Sequence, residues 1–266
     1  THGNWKDIRD IYTYYNSSEP LDETDTIIQL GDFGANFFLS SRDDEFKKKL
    51  GKYKCNYFVI RGNHEERPSN LYRQNPEKWH LERFFGGDVY VENEYPYIKY
   101  AADMPFQYNI NGYSVLTLPG AYSVDKYYRL SQGWTWFKDE QMTEDEMLIG
   151  RMLVKAEPHW DIVLSHTCPI VYEPTDLFLS TVDQSTVDKT MERYLGELES
   201  ELDYKLWCWG HYHSTRVYPE YEGKQPVMLF NDTILDLNKY LKTNHEVCPY
   251  FKYLRLEGSP LAQVKS

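Results

Sequence analysis

The stretch that decides the fold is CNYFVIRGNHE, Cys55 to Glu65. Its first half is an apolar, β-branched and aromatic run of the kind that forms a buried strand, and Gly62 stops it. Its second half presents Asn63, His64 and Glu65 at once, so polar groups capable of chemistry sit just past a strand end. The same grammar recurs in DTIIQLGD (Asp25 to Asp32), WDIVLSHTCP (Trp160 to Pro169) and YKLWCWGHYH (Tyr204 to His213). Helix-like stretches lie between them: DDEFKKKLGK, TEDEMLIGRMLVKAE and DQSTVDKTMERYLGELES. Thr143 with Glu146 forms the T-x-x-E capping box, a helix-start signal. Strands alternating with helices predict an α/β fold with parallel strands.

Two stretches depart from that rhythm. Asp88 to Leu118 is rich in Tyr, Val and Ile and carries Asn111-Gly112, which predicts antiparallel hairpin strands. Val217 to Asn231 reads the same way, turning near Glu222-Gly223. The sheets are therefore expected to be mixed, and two sheets accommodate the runs more easily than one. No repeat, low-complexity tract or linker divides the 266 residues, so a single domain over 1–266 is expected. The Tyr-rich stretch YFKYLRLEG (Tyr250 to Gly258) reads as a closing strand.

A net charge of -12 argues against a general nucleic-acid coat, which needs clustered Lys and Arg. No apolar run approaches the roughly 18 to 20 residues of a membrane span. Cys55, Cys168, Cys208 and Cys248 form no CxxC pair, and reduced, buried thiols in an intracellular, cytoplasmic setting are expected. Aromatic content of 16%, with Tyr 24 and Trp 7, suits thick sheets or an aromatic-lined cleft.

Of the eight histidines, five (His2, His64, His166, His211 and His213) lie in the motifs, and all but His2 lie beside strand-like runs. His80, His159 and His245 read as ordinary core or surface residues. In open α/β sheets the carboxyl ends of strands face the crevice where ligands bind, so Asp32, Asn63, His64, His166, His211 and His213 are expected to converge. Mixed Asp, Asn and His donors suit borderline divalent ions such as Mn, Fe or Zn better than calcium. On an extended backbone, His211 and His213 would point the same way.

GDFG (Gly31 to Gly34), GNHE (Gly62 to Glu65), His166 within SHTCP and GHYH (Gly210 to His213) stand in this order, and together with THG (Thr1 to Gly3) they resemble the signature of the calcineurin-like metallophosphoesterase superfamily. THG looks like the tail of a DTHG motif, so an apolar strand ending in Asp is expected just before Thr1. The resemblance implies a four-layer α-β-β-α sandwich with two divalent ions, manganese favoured. It implies that His2 and His213 bind the first ion, that Asp32 bridges, and that Asn63, His166 and His211 complete the second. A hydroxide bridging the ions would attack phosphorus in line, and His64 would assist the leaving group.

The protein-phosphatase branch usually carries GDxVDRG where this chain has GDFGANF, so that branch is disfavoured. LPGAYSVDKYYR (Leu118 to Arg129) resembles a segment of some bacterial and phage members; Tyr122, Lys126 and Arg129 are candidate substrate contacts, with Arg129 favoured for its two-pronged fork. GWTWFKDEQMT (Gly133 to Thr143) is a candidate cleft wall for a flat group such as a nucleobase. The expected partner is a small or nucleotide-like phosphoester, which gives a phosphatase or phosphodiesterase. Alternatives are a DNA or RNA nuclease with the same centre and a non-catalytic metal-binding interaction protein.

Overall fold

A computed structural model of the chain describes residues 2–16, 20–230 and 233–242. In chain order the strands are β1 (Thr26–Leu30), β2 (Asn56–Ile60), β3 (Trp79–Phe84), β4 (Gly87–Glu92), β5 (Ile98–Tyr100), β6 (Phe106–Ile110), β7 (Tyr113–Leu118), β8 (His159–Ser165), β9 (Asp203–Trp209), β10 (Arg216–Val217) and β11 (Gln225–Met228). The helices are α1 (Trp5–Asn16), α2 (Ser41–Leu50), α3 (Pro68–Gln74), α4 (Lys126–Ser131), α5 (Glu144–Ala156), α6 (Thr190–Glu201) and α7 (Leu237–Lys242).

The first sheet has the order β1-β2-β5-β4-β3, and the second β10-β11-β9-β8-β7-β6. Both are mixed. Strands β1, β2 and β5 run parallel, and so do β7, β8, β9 and β11. Antiparallel hairpins occupy the flanks. The expected turns are present: Asn111 and Gly112 have φ of 54° and 92°, and Glu222 and Gly223 have 51° and 82°. Both central residues in the left-handed region is the geometry of a type I′ hairpin. A third such turn, Phe85-Gly86, joins β3 to β4.

Side-chain alternation sets the layers. On β2, Phe58 and Ile60 face the second sheet and pack with Val115, Ile162, Leu164, Leu206 and Val227. Tyr57 and Val59 face the other way, onto Ile8 and Ile11 of α1, Phe46 and Leu50 of α2 and Leu71 of α3. The outer face of the second sheet, with Leu116, Val163 and Trp207, is covered by Met147 and Val154 of α5 and Met191, Leu195 and Leu198 of α6. The result is helix, sheet, sheet, helix, the expected four layers. Helix α5 starts at the predicted capping box: Thr143 Oγ1 accepts from the Glu146 N–H, and Glu146 Oε2 accepts from the Thr143 N–H at 2.8 Å. Cys55, Cys168 and Cys208 are buried and unpaired. Cys248, His245 and the stretch Tyr250 to Gly258 lie outside the described residues. Among the described residues no helix is long and apolar enough to cross a membrane.

Candidate metal centre

The carboxyl ends of four parallel strands deliver the site. Asp32 follows β1, Asn63 and His64 follow β2, His166 follows β8, and His211 and His213 follow β9. Residue His2 joins them from the segment before α1, where its N–H donates to the Asp32 carbonyl at 2.7 Å and that of Gly3 to Phe33 at 2.9 Å. Two donor sets form, His2 with Asp32 and His213, and Asp32 with His166 and His211. Within each, one ligand atom per residue lies within 4.8 Å of the others, and Asp32 is common to both. Asn63 joins the second set, with its Oδ1 2.9 Å from His166 Nε2.

The backbone there is unusual. His2, Asp32, His211 and His213 all have positive φ, at 50°, 51°, 67° and 52°. For residues with a Cβ this costs roughly 1–3 kcal/mol each and concentrates at functional sites. The extended-backbone expectation for His211 and His213 is therefore corrected: the left-handed turns at both send the two rings to different donor sets. Glycine gives the loops room, since a Cβ on Gly62 would collide with the Asp32 carboxylate, and one on Gly31 with the His166 ring.

Electrostatics favours a cation between these groups. Burial opposes charge on both members of the Asp32–His166 pair, yet their mutual attraction prevails: the Asp32 carboxyl is held well below its ordinary range and His166 is raised. His166 Nδ1 lies 2.6 Å from the Leu30 carbonyl, so Nδ1 is the donor there. Nε2 then faces two oxygens, Asn63 Oδ1 and Asp32 Oδ1 at 3.4 Å. A positive charge, proton or metal, belongs between them. Burial lowers His211 far below the ordinary imidazole value and lowers His213, so both keep lone pairs. The His2 and His213 Nε2 atoms face each other at 2.9 Å. The residues present thus fit a pair of borderline divalent ions.

Supporting residues that the sequence reading assigned no part complete the picture. Glu65 Oε1 accepts from Phe33 N at 2.7 Å and Gly34 N at 3.1 Å, while its Oε2 accepts from Gly62 N at 3.0 Å, binding the two loops together. Asn63 Nδ2 donates to Ser123 Oγ at 2.8 Å, and Ser123 is held by Glu140. Arg61, fully buried, donates to the Glu140 carbonyl at 2.7 Å and lies 3.4 Å from Asp103. Glu65 sits inside GNHE, whereas Ser123 and Glu140 lie in motifs quoted for other reasons; only tertiary contact reveals their partners.

The calcineurin-like phosphoesterase family model matches residues 1–215. The chain belongs to that family. Family membership supports a metal-dependent phosphoester hydrolase as the general class, with a dinuclear divalent centre. No curated protein matches the sequence. Among solved structures, the calcineurin-like chain is similar to a phosphopantetheinyl hydrolase from Mycobacterium tuberculosis, with 12% identity and a TM-score of 0.42 over 90% of this chain and 88% of that one. It is also similar to a dimetal phosphatase from Danio rerio, with 11% identity and a TM-score of 0.45 over 86% and 78%. It is similar as well to GAP50, the anchor in the inner membrane complex of Plasmodium, with 11% identity and a TM-score of 0.43 over 88% and 69%.

Of the candidate substrate contacts, Arg129 reaches the site. Its Nη2 lies against both ring nitrogens of His64, and its Nε donates to Asp125 Oδ2 at 2.8 Å. Burial, with the Arg129 charge adding to it, lowers His64 against the pull of Asp32. Lys126 instead makes its contacts with rings, 4.2 Å from the Trp136 centroid and 6.0 Å from that of Tyr122, which is itself buried. Trp136 donates to Glu140 at 2.9 Å, and exposed Trp134 packs edge-on against Tyr128. A cavity of about 320 Å³ borders His2, Asp32, His166, His211 and His213 and continues along β1; His64, Lys126 and Arg129 do not line it. His80 and His159 are surface residues beside Asn93 and Asp203.

Proposed function

We propose that this chain hydrolyses a small or nucleotide-like phosphoester at a dinuclear centre, with manganese the favoured ion among Mn, Fe and Zn. The observation that carries the reading is the pair of donor sets sharing Asp32. His2 and His213 would hold one ion, Asn63, His166 and His211 the other, and Asp32 both. When bound, such ions neutralise phosphoryl oxygens and make a water acidic enough to attack near neutral pH.

The chain's own residues do the rest. Glu65 locks the two glycine loops in register through three N–H contacts. His64 is anchored by its N–H to Asp32 Oδ1 at 3.0 Å, which fixes the ring beside the cluster. There the imidazole serves the departing alkoxide as proton donor or as stabiliser of its charge. Arg129 is nearly fully buried, and its guanidinium at the His64 ring would set a fixed positive charge beside a phosphoryl group bound there. Three described thiols, all buried and unpaired, agree with a reducing, cytoplasmic setting.

The test is metal analysis of the purified protein together with assays of chromogenic monoester and diester substrates in added Mn. About two ions per chain with turnover of either ester is expected. Fewer than one ion and no turnover overturns the reading. Two ions without turnover leaves a metal-binding interaction protein.

A further inference from the structure

The motif GWTWFKDEQMT has no part in the chemistry so far, yet it delivers a carboxylate to the back of the metal centre. Glu140, Ser123 and Asn63 are 2%, 1% and 2% exposed, so solvent does not arbitrate their hydrogen bonds. Glu140 Oε1 receives the Ser123 N–H at 3.0 Å, and Oε2 receives the Trp136 indole N–H at 2.9 Å and the Ser123 hydroxyl. The two N–H groups can only donate, and an ionised carboxylate can only accept, so the Ser123 hydroxyl turns its hydrogen to Oε2. The Ser123 proton is therefore committed to Glu140. What its oxygen has left is a lone pair, and a lone pair requires a donor opposite.

That requirement decides which way round the Asn63 amide sits. With Nδ2 toward Ser123 Oγ at 2.8 Å, the bond is made and Oδ1 points at His166 Nε2. Turned over, Oδ1 would meet the Ser123 lone pair, and Nδ2 would present hydrogens where a cation is to bind. An asparagine amide has no intrinsic preference between the two orientations, so its hydrogen-bond network chooses. Here the network is a one-way chain: Asn63 donates to Ser123, and Ser123 donates to Glu140.

We propose that Glu140 is a positioning residue of the metal centre, acting through Ser123 to hold the Asn63 carbonyl oxygen toward the site shared with His166 and His211. The inference rests on the dinuclear reading above. It gives Trp136 a place as well, since the indole N–H occupies the remaining acceptor capacity on Oε2 and keeps that oxygen turned toward Ser123. Groups that hold a metal ligand in orientation matter to the ion almost as the ligand does.

The experiment titrates Mn into the metal-free full chain, comparing wild type with Ser123→Ala, Ser123→Thr and Glu140→Gln. Calorimetry reads the two affinities, and electron paramagnetic resonance at two equivalents reads whether the ions are magnetically coupled. Wild type should bind two ions with a coupled spectrum. Ser123→Ala and Glu140→Gln should keep one site intact and weaken the other about 10- to 100-fold, leaving the six-line signal of an isolated ion. Ser123→Thr, which retains the hydroxyl, should restore coupling. If Glu140→Gln fails to fold, Ser123→Ala carries the test. Two ions bound by Ser123→Ala as tightly as by wild type, or equal weakening of both sites, overturns the inference and leaves the dinuclear reading standing. A wild type that binds no ion overturns both.

Discussion

The Arg129 guanidinium lies against the His64 imidazole, reaching both of its nitrogens, and is itself tethered to Asp125 one helical turn back. The tether places a permanent cation beside the group proposed to serve the leaving oxygen. Replacing Arg129 by Lys keeps the charge and removes the fork. A charge-assisted hydrogen bond is worth about 1.5–3 kcal/mol, so kcat/KM should fall roughly 10- to 100-fold with metal content unchanged. His64→Ala should cost more, about 100- to 10,000-fold in kcat, again with both ions retained. Loss of metal in His64→Ala would make it a ligand instead.

Gly62→Ala is a steric test of the centre. The added methyl would occupy the space of the Asp32 carboxylate and of its backbone nitrogen. Asp32 is common to both donor sets, so the variant should lose metal and activity together. Overpacking costs typically about 1–3 kcal/mol, so the chain should remain folded by circular dichroism while metal analysis shows depletion.

Without metal, stability should pass through a maximum in pH. His211, His64 and His213 titrate below the ordinary imidazole value of 6.5, so below that pH the unfolded chain takes up protons that the folded chain refuses. Stability is lost as pH falls from there. His166 is shifted the other way, and its contribution is present below 6.5 and lost as pH rises through its raised value. A melting temperature measured across pH 5 to 9, on the order of a unit per step, should therefore fall on both sides. His211→Gln should flatten the acid limb, and His166→Gln the alkaline one.

The α5 cap offers a control far from the chemistry. Thr143→Ala removes the hydroxyl that receives the Glu146 N–H, at a cost of about 1 kcal/mol. Melting should drop by about 2–4 °C in a domain of this size, with metal content and turnover untouched. A loss of activity would show that α5 helps to hold the site, through the Arg67–Glu146 pair at the same helix start.

The fold was largely legible because its strands are short apolar runs closed by glycine, and Thr143, Asn111-Gly112 and Glu222-Gly223 are chemically specific signals. The Phe85-Gly86 turn was not, since phenylalanine is an unlooked-for occupant of a left-handed position. Helix α1 was missed because WKDIRDIYTYYN mixes charged and aromatic residues, and Ile8 and Ile11 show their purpose only against α2 and the first sheet. The converging donors could be listed from the sequence, and the resemblance implied their division into two sets; what stayed illegible is the backbone that realises it, the left-handed φ at His211 and His213. Ser123 and Glu140 stayed hidden for another reason: each hydrogen bond joins loops from different parts of the chain.

The two donor sets draw on both sheets, with Asp32 and Asn63 at the ends of first-sheet strands and His166, His211 and His213 at the ends of second-sheet strands. An ion held there works as a rivet through the sandwich, and its affinity gauges how well the sheets are seated on each other. Interlayer residues with no chemistry of their own, such as Phe58 and Leu164, pack in the seam between the sheets and would fix the gap that such ions span. By reciprocity, an ion that binds across the two sheets would stabilise the apolar seam beneath it, so the closure of the sandwich would follow the supply of metal.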